Sequence, residues 1–284
     1  MSLAPPALAT RVLTLPGWTV SVSAPEHVTE VLERLLAGLD FADEPLPPLR
    51  LIISEDLAWM AGEAPGNPPW RLTLPPTQRL GVILGQCVAA ATASLPSRLF
   101  VHAGAVALGG RGVIVVGGSG MGKTSMVARM LHRGGCYLSD EVALLDPATG
   151  TIAPFAIPMA IKPWTARAIG DLLDGRTVAV DNELRFHLPD RLQRTPVRVA
   201  EVVLLRAPRL RARLLPITRA QMLMALGTHA TSLIHRDRLE MAFAGFGSLL
   251  RAARCSAVEG PSPAACADLI IEKLGPGLDY QLDD

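Results

Sequence analysis

The stretch Gly117-Gly118-Ser119-Gly120-Met121-Gly122-Lys123-Thr124 reads G-x-x-x-x-G-K-T, the spacing of a phosphate-binding loop. Its surroundings agree with that reading. Residues 113–116, Val-Ile-Val-Val, form a continuous β-branched run, as in a strand buried on both faces. Ser125-Met126-Val127-Ala128-Arg129-Met130-Leu131 contains no helix breaker, and Gly134-Gly135 supplies the helix stop. The glycines let successive backbone N–H groups turn toward one anion, and the helix N-terminus adds unpaired donors and a partial positive charge. Lys123 is placed to reach the β- and γ-phosphates, and the Thr124 hydroxyl to ligate Mg²⁺. The expected nucleotide-binding set therefore runs from Gly117 through Ser125, with MgATP as the expected ligand.

Working outward, the next chemistry lies just downstream in Gly135-Cys136-Tyr137-Leu138-Ser139-Asp140-Glu141-Val142-Ala143-Leu144-Leu145. This predicts a short strand, an acidic pair at its end and a second apolar run. Strand-end carboxylates beside a phosphate loop hold Mg²⁺ directly or through water. Two adjacent ones, Asp140 and Glu141, allow one to bind metal while the other accepts a hydroxyl proton. Upstream, Leu99-Phe100-Val101-His102-Ala103-Gly104 and Ala105-Val106-Ala107-Leu108 predict strands that Gly109-Gly110-Arg111-Gly112 turns into the loop strand. His102, between strands, either contacts a phosphate, orients an acid, or is a structural hydrogen-bonding residue.

The run from His102 to Leu145 resembles the catalytic core of the HPr serine kinase/phosphorylase family and its shorter kinase-like relatives. Those chains share a histidine before the Gly-rich hairpin, the G-x-x-x-x-G-K-[ST] loop and an acidic pair one helix later. The likeness extends loosely through Thr151-Ile152-Ala153-Pro154-Phe155-Ala156-Ile157-Pro158. It implies that His102 sits beside the acidic pair and the γ-phosphate, that Asp140 is the base toward the acceptor hydroxyl, and that Glu141 assists Mg²⁺. The family usually has two aspartates there, so Glu141 is a departure, and the division of labour between 140 and 141 stays open. The family's later glycine-rich stretch tied to phosphorylase activity is not found, which favours a kinase-only enzyme. Size and layout look closer to kinase-like proteins found with peptide-modifying gene sets, and the resemblance implies a homo-oligomer.

Several other segments carry weaker signals. Lys162 ends a predicted strand and either touches a phosphate or substrate carboxylate or faces solvent. A helix is expected over 165–173, and residues 174–195 read as a variable loop. Residues 197–205 predict a strand, and period-two spacing in 209–215 would put Arg209, Arg211 and Arg213 on one face, to bind an acidic peptide or phosphate or simply to be solvated. Thr218-Arg219-Ala220-Gln221 is a capping box. One or two helices are expected in 231–253, with His235, Arg236, Asp237 and Arg238 exposed. A strand is expected over 255–259, a last helix from Ser262-Pro263 through Leu274, and a frayed acidic tail at Asp279, Asp283 and Asp284. In the first 95 residues, strands are expected around Trp18, Val20 and Val22, over 49–53 and over 70–74. Helices are expected from Pro25-Glu26 and over 77–95, with a turn-rich segment at 62–69. Trp59 and Trp70 read as core aromatics or as the lining of a substrate site.

The totals set bounds. A chain of 284 residues with 49% apolar and 4% aromatic content supports an ample, mostly aliphatic core. A net charge of +1 gives no field for nucleic acid or an anionic membrane. The four cysteines, at 87, 136, 255 and 266, show no C-x-x-C or metal spacing and read as reduced thiols of a cytoplasmic protein. No signal peptide is expected, and the apolar stretch at 82–93 is too short to span a bilayer.

The fold class expected is α/β: a P-loop kinase core of HPr kinase type over 96–216, an N-terminal α+β accessory region over 1–95, and a helical C-terminal region over 217–284. The expected activity is MgATP-dependent transfer of the γ-phosphate to a hydroxyl, foremost a serine of a peptide or protein such as a ribosomal precursor peptide. A small hydroxylated metabolite as acceptor, and a nucleotide-dependent binding switch without transfer, are the alternatives.

Overall fold

The computed structural model describes residues 8–65, 68–170, 172–181, 183–230 and 238–274, so the acidic tail and His235, Arg236 and Asp237 lie outside the described residues. It is a mixed α/β structure that divides into two compact units, the first running through Leu95 and including Thr177–Phe186, the second holding the rest. Among the described residues no helix is long and apolar enough to cross a membrane. All four cysteines are free.

The first unit carries a five-stranded sheet in sequential order: Thr10–Leu15 (β1), Trp18–Ser23 (β2), Leu49–Ile53 (β3), Trp59–Glu63 (β4) and Trp70–Thr73 (β5). Pro16-Gly17 is the two-residue turn of the first hairpin. Gly17 sits at φ +69°, where a Cβ would meet the Phe41 carbonyl oxygen at 2.0 Å. Helix Glu26–Leu36 (α1) is the crossover between the parallel pair β2 and β3, and it buries Val28, Leu32, Leu35 and Leu36, the stripe its spacing predicts. The segment read as turn-rich begins inside β4. There Gly62 lets the Trp70 indole lie against the backbone, with a would-be Cβ 2.1 Å from its ring, and Arg71 stacks 4.0 Å from the Trp59 ring centroid. Both tryptophans are half-buried in the sheet. Helix Arg79–Ala93 (α2) lacks a side-chain N-cap of its own. Asp181, about a hundred residues on, accepts from the Leu80 N–H at 3.0 Å, and Glu183 accepts from Gln78 at 2.6 Å.

The second unit is built on a nine-stranded sheet. Its strands, in chain order, begin with Leu99–Val101 (β6), Ala103–Leu108 (β7) and Arg111–Val116 (β8), after which comes helix Lys123–His132 (α3). Next are Cys136–Ser139 (β9), Ala143–Asp146 (β10) and Thr151–Ala153 (β11). Met159–Ile161 (β12) leads into helix Pro163–Ile169 (α4), which stops before the predicted 173. Residues 174–195 correct the expectation of a loop: Gly175–Val180 (β13) and Arg185–Pro189 (β14) are strands, closed by the Asp181 N–H donating to the Leu184 carbonyl, and like β12 they lie outside the nine-stranded sheet. Then follow Val197–Leu205 (β15), Arg213–Pro216 (β16), helices Arg219–His229 (α5) and Leu239–Ala252 (α6), strand Arg254–Glu259 (β17) and helix Pro263–Leu274 (α7).

The arginine row also needs correction, because only Arg213 lies in a strand. β16 pairs antiparallel with β17, and Arg213 stands opposite Glu259, the last residue of β17. Among the described residues, 209–212 therefore have no ladder partner, and one backbone bond, Arg209 N–H to the Gly260 carbonyl, ties them there. β17 moreover places the C-terminal part inside the sheet, parallel to β15.

Period-two burial explains the two faces of this sheet. Val113 and Val115 of β8 pack with Met126, Val127 and Met130 of α3 and with Cys266, Ile270 and Ile271 of α7. Ile114 and Val116 face Met222 and Leu226 of α5 and Phe246 and Leu250 of α6. The apolar run Val113–Val116 of β8 follows from burial on both sides.

The capping box of α5 is present in full. The Thr218 hydroxyl accepts from the Gln221 N–H, and the Gln221 side chain accepts from the Thr218 N–H. Thr218→Ala should lower stability by about 1 kcal/mol, read as a fall in urea midpoint with unchanged m-value.

Candidate functional site

Strand directions bring the candidate residues to one edge. β7 runs antiparallel to both β8 and β9, so β8 and β9 end on the same side. Ala103 stands opposite Val116, which puts His102 at that edge too. The phosphate loop leaves the end of β8, Asp140 follows the end of β9, and His102 precedes β7. Carboxyl ends of strands in open α/β sheets are where ligands bind.

The loop turns through Gly120 at φ +76° and Gly122 at φ +98°, the left-handed region that glycine adopts at no steric cost. Ser119 and Gly120 are exposed at the crest, Gly118, Met121 and Gly122 are half-buried, and Ser125 is buried in the first turn of α3. α3 starts at Lys123 with no side-chain cap and no acidic residue in its first turn, so its N-terminal donors stay open to an anion. The Lys123 ammonium donates back to the carbonyls of Gly117 at 2.9 Å and Gly118 at 3.3 Å. Burial pulls its pKa below the ordinary lysine value. Glu141 and Asp140 oppose that shift, and the charge of Lys162 adds to it.

Asp140 is 2% exposed. The Thr124 hydroxyl donates to its Oδ2 at 2.8 Å, while Oδ1 is buried without a hydrogen-bond partner among the described residues. Gly104 leaves room for the Val127 side chain of α3, since a Cβ there would stand 2.6 Å from it. Burial, and then the neighbouring Glu141 carboxylate, push the Asp140 pKa up from 3.8 to about 7, against the pull of Thr124 and Lys123. Tyr137, three residues earlier, is fully buried and donates to the Ile157 carbonyl at 2.7 Å, fixing β9 to the proline-rich segment.

His102 meets the acidic pair through Glu141. Its Nδ1 lies 3.0 Å from the Glu141 carbonyl oxygen and 3.3 Å from carboxylate Oε2. A carbonyl only accepts, so Nδ1 carries the proton in that contact. Lys162 is the N-cap residue of α4, half-buried, its ammonium 5.2 Å from the Trp164 ring centroid.

The sequence reading missed His229, the last residue of α5. Its carbonyl accepts from the His102 N–H at 2.6 Å, the two imidazole centroids are 6.5 Å apart, and a bridge joins Val101 to Ala230. Burial, Lys123 and His102 in that order hold its pKa below the ordinary histidine value. No local motif marks His229; only the fold carries it here from more than a hundred residues away.

Among the described residues no three His, Cys, Asp or Glu side chains gather as a metal cage. Mg²⁺ beside a nucleotide takes one or two protein oxygens and draws the rest from phosphate and water. The Thr124 hydroxyl, the Asp140 carboxylate with its orphaned oxygen and the adjacent Glu141 fit that requirement as hard oxygen donors.

No family model matches the chain, and no curated protein matches it. A solved structure titled as the Hpr(Ser) kinase/phosphatase from Coxiella burnetii is similar at 17% identity and a TM-score of 0.21, covering 50% of this chain and 97% of that one. At that TM-score the site must be read from its own residues.

The raised Asp140 pKa has a consequence for stability. The folded protein holds this proton more tightly than the unfolded chain, so the stabilisation is complete below the unfolded value of 3.8 and is lost as pH rises to about 7. Asp140→Asn should remove that slope, so that urea unfolding without divalent ions shows the variant gaining on the wild type as pH rises from about 4 to about 7.

Proposed function

We propose that this chain is a MgATP-dependent kinase that transfers the γ-phosphate to a hydroxyl, foremost the serine of a peptide or protein, in the manner of HPr kinase-like enzymes. One observation carries the reading: a phosphate loop whose Thr124 hydroxyl bonds a buried carboxylate, Asp140, with a neighbouring Glu141 and His102 at the same sheet edge. The motif resemblance over His102 to Leu145 supports it.

Each residue then has a task. The open N–H groups of the loop and of the α3 N-terminus bind the β-phosphate, and Lys123 neutralises charge that grows on the β- and γ-phosphates. Asp140, buried at the sheet edge and bonded to Thr124 of the loop, is placed to accept the hydroxyl proton. The acceptor oxygen bonds to the γ-phosphorus as the bond to the β,γ-bridging oxygen breaks. The hydroxyl proton passes to the carboxylate, and ADP leaves. His102 holds Glu141 through Nδ1 and so orients the acidic pair. Mg²⁺, held by Thr124 with Asp140 or Glu141, would supply charge neutralisation across the phosphates when bound. Lys162 would add a second cation at the phosphate or at an acceptor carboxylate.

The experiment is intact-mass analysis of serine peptides, free serine and copurifying proteins incubated with the chain, Mg²⁺ and ATP. The expected gain is one phosphate per acceptor, lost with Lys123→Ala and with EDTA. Asp140→Asn should retain ATP binding and slow transfer by about 10²–10⁴-fold. Labelling of free serine alone would move the acceptor to a small metabolite. ATP binding with no labelled acceptor would point to a switch, and normal transfer by Lys123→Ala would remove the assignment.

A further inference from the structure

Beyond the phosphate loop, the sheet edge continues into a tract that the catalytic reading leaves unused. A cavity of about 370 Å³ opens against Gly117, Gly118 and Met121 and is walled by Arg206, Arg209 and His229. Arg209 also lines an adjoining groove of about 770 Å³ with Pro208, Leu210, Arg211, Arg213 and Pro261. The shared arginine makes the two one path, from the phosphate site outward.

The chemistry of this path is uniform. Glu259, 6% exposed at the side chain, receives the Arg213 guanidinium at 2.6 Å and lies 3.8 Å from that of Arg209. It thereby fixes both guanidiniums while they remain 63% and 66% exposed. Arg206 and Arg211 are exposed and have no carboxylate within ion-pair distance among the described residues. Four cations thus stand against one buried anion. Between them Leu210 is 97% exposed, flanked by Pro208. The backbone is held: Arg206 donates to the Val258 carbonyl and Arg209 to that of Gly260, and Ala212 packs 3.1 Å from where a Gly260 Cβ would stand. The tract therefore presents an exposed leucine among four guanidiniums, on a backbone tied to β17 at Arg206 and to Gly260 at Arg209.

We propose that this tract docks the acceptor as a peptide segment carrying acidic residues beside an apolar one, presenting its hydroxyl to the phosphate loop; the inference rests on the kinase reading for its direction. Charge complementarity selects an anionic partner. A peptide fits better than a nucleic acid, because among the described residues neither cavity is lined by Phe, Tyr or Trp for base stacking and the chain's net charge is only +1.

The test uses the full chain and a fluorescein-labelled peptide with one serine among glutamates and leucines, beside its Glu→Gln counterpart, with affinities from anisotropy. The acidic peptide should bind more tightly, with the preference shrinking at high salt. Arg211→Glu should weaken it by about three- to tenfold and Leu210→Ser by a similar factor, both leaving ATP binding unchanged. Equal binding of the two peptides, indifference to both substitutions, or tighter Arg211-dependent binding of a single-stranded oligonucleotide would overturn the proposal. The two readings fail separately. Acidic-peptide binding that needs Arg211, without any phosphate transferred, leaves the docking surface standing and removes the kinase. Phosphorylation indifferent to acidic neighbours does the reverse.

Discussion

A buried ammonium and a buried carboxylate, Lys123 and Asp140, share one edge of the sheet, and the rest of the second unit is arranged so that both can exist there. Taking either charge out of water is costly unless other polar groups replace the solvent. Lys123 finds the carbonyls of Gly117 and Gly118, which only a turn through left-handed glycines can aim inward. Asp140 finds the Thr124 hydroxyl on one oxygen and, among the described residues, no hydrogen-bond partner on the other. Burial, and then Glu141 alongside, lift its pKa toward neutrality against the single hydroxyl bond. A site whose purpose was stability would have paired the second oxygen; here the strain sits where proton or cation exchange would be needed.

The topology that produces this edge is unusual in one respect. Because β7 intervenes antiparallel between β8 and β9, the carboxylate strand and the loop strand are parallel without being neighbours. The same insertion brings His102 to the edge from the opposite chain direction. β15 and β17, parallel to β8, end there too and deliver Arg206 and Glu259. A single geometric choice, the antiparallel β7, therefore gathers the acid pair, the histidine and the phosphate loop.

What could be read from the sequence follows the range of the interactions. The loop, α3, β9 and the α5 capping box were legible because each is specified by residues within one turn or strand. β1 was missed although Pro16-Gly17 announces its hairpin, since its residues Thr10-Arg11-Val12-Leu13-Thr14-Leu15 do not alternate apolar with polar and most of them are exposed. β13 and β14 read as a loop because Arg176, Asp181 and Arg185 break the apolar pattern. Asp181 earns its place by bonding the N-terminus of α2, a contact no local window contains. The arginine row misled for the complementary reason: alternation in 209–215 is real, but a strand also needs a partner, and β17 ends at Glu259. His229 and the orphaned Asp140 oxygen belong to the same class, being consequences of tertiary placement rather than of pattern.

The C-terminal helix shows how far such placement reaches into the site. Ser262-Pro263 reads as a plain helix start, and the Ser262 hydroxyl does accept from the Ala265 N–H. Yet Pro263 also lies where a Cβ on Gly122 would be, 2.3 Å from its Cγ, at the glycine whose φ of +98° aims the loop into α3. Any larger residue at 122 would face both a forbidden backbone conformation and a rigid ring. Behind this contact, Asp268 of α7 takes a bidentate pair of bonds from Arg129 of α3, both at 3.0 Å. α7 thus braces the phosphate loop at its turn and the loop's helix along its length. The glycine of the motif answers to two demands at once, closeness to an anion on one side and closeness to a proline on the other.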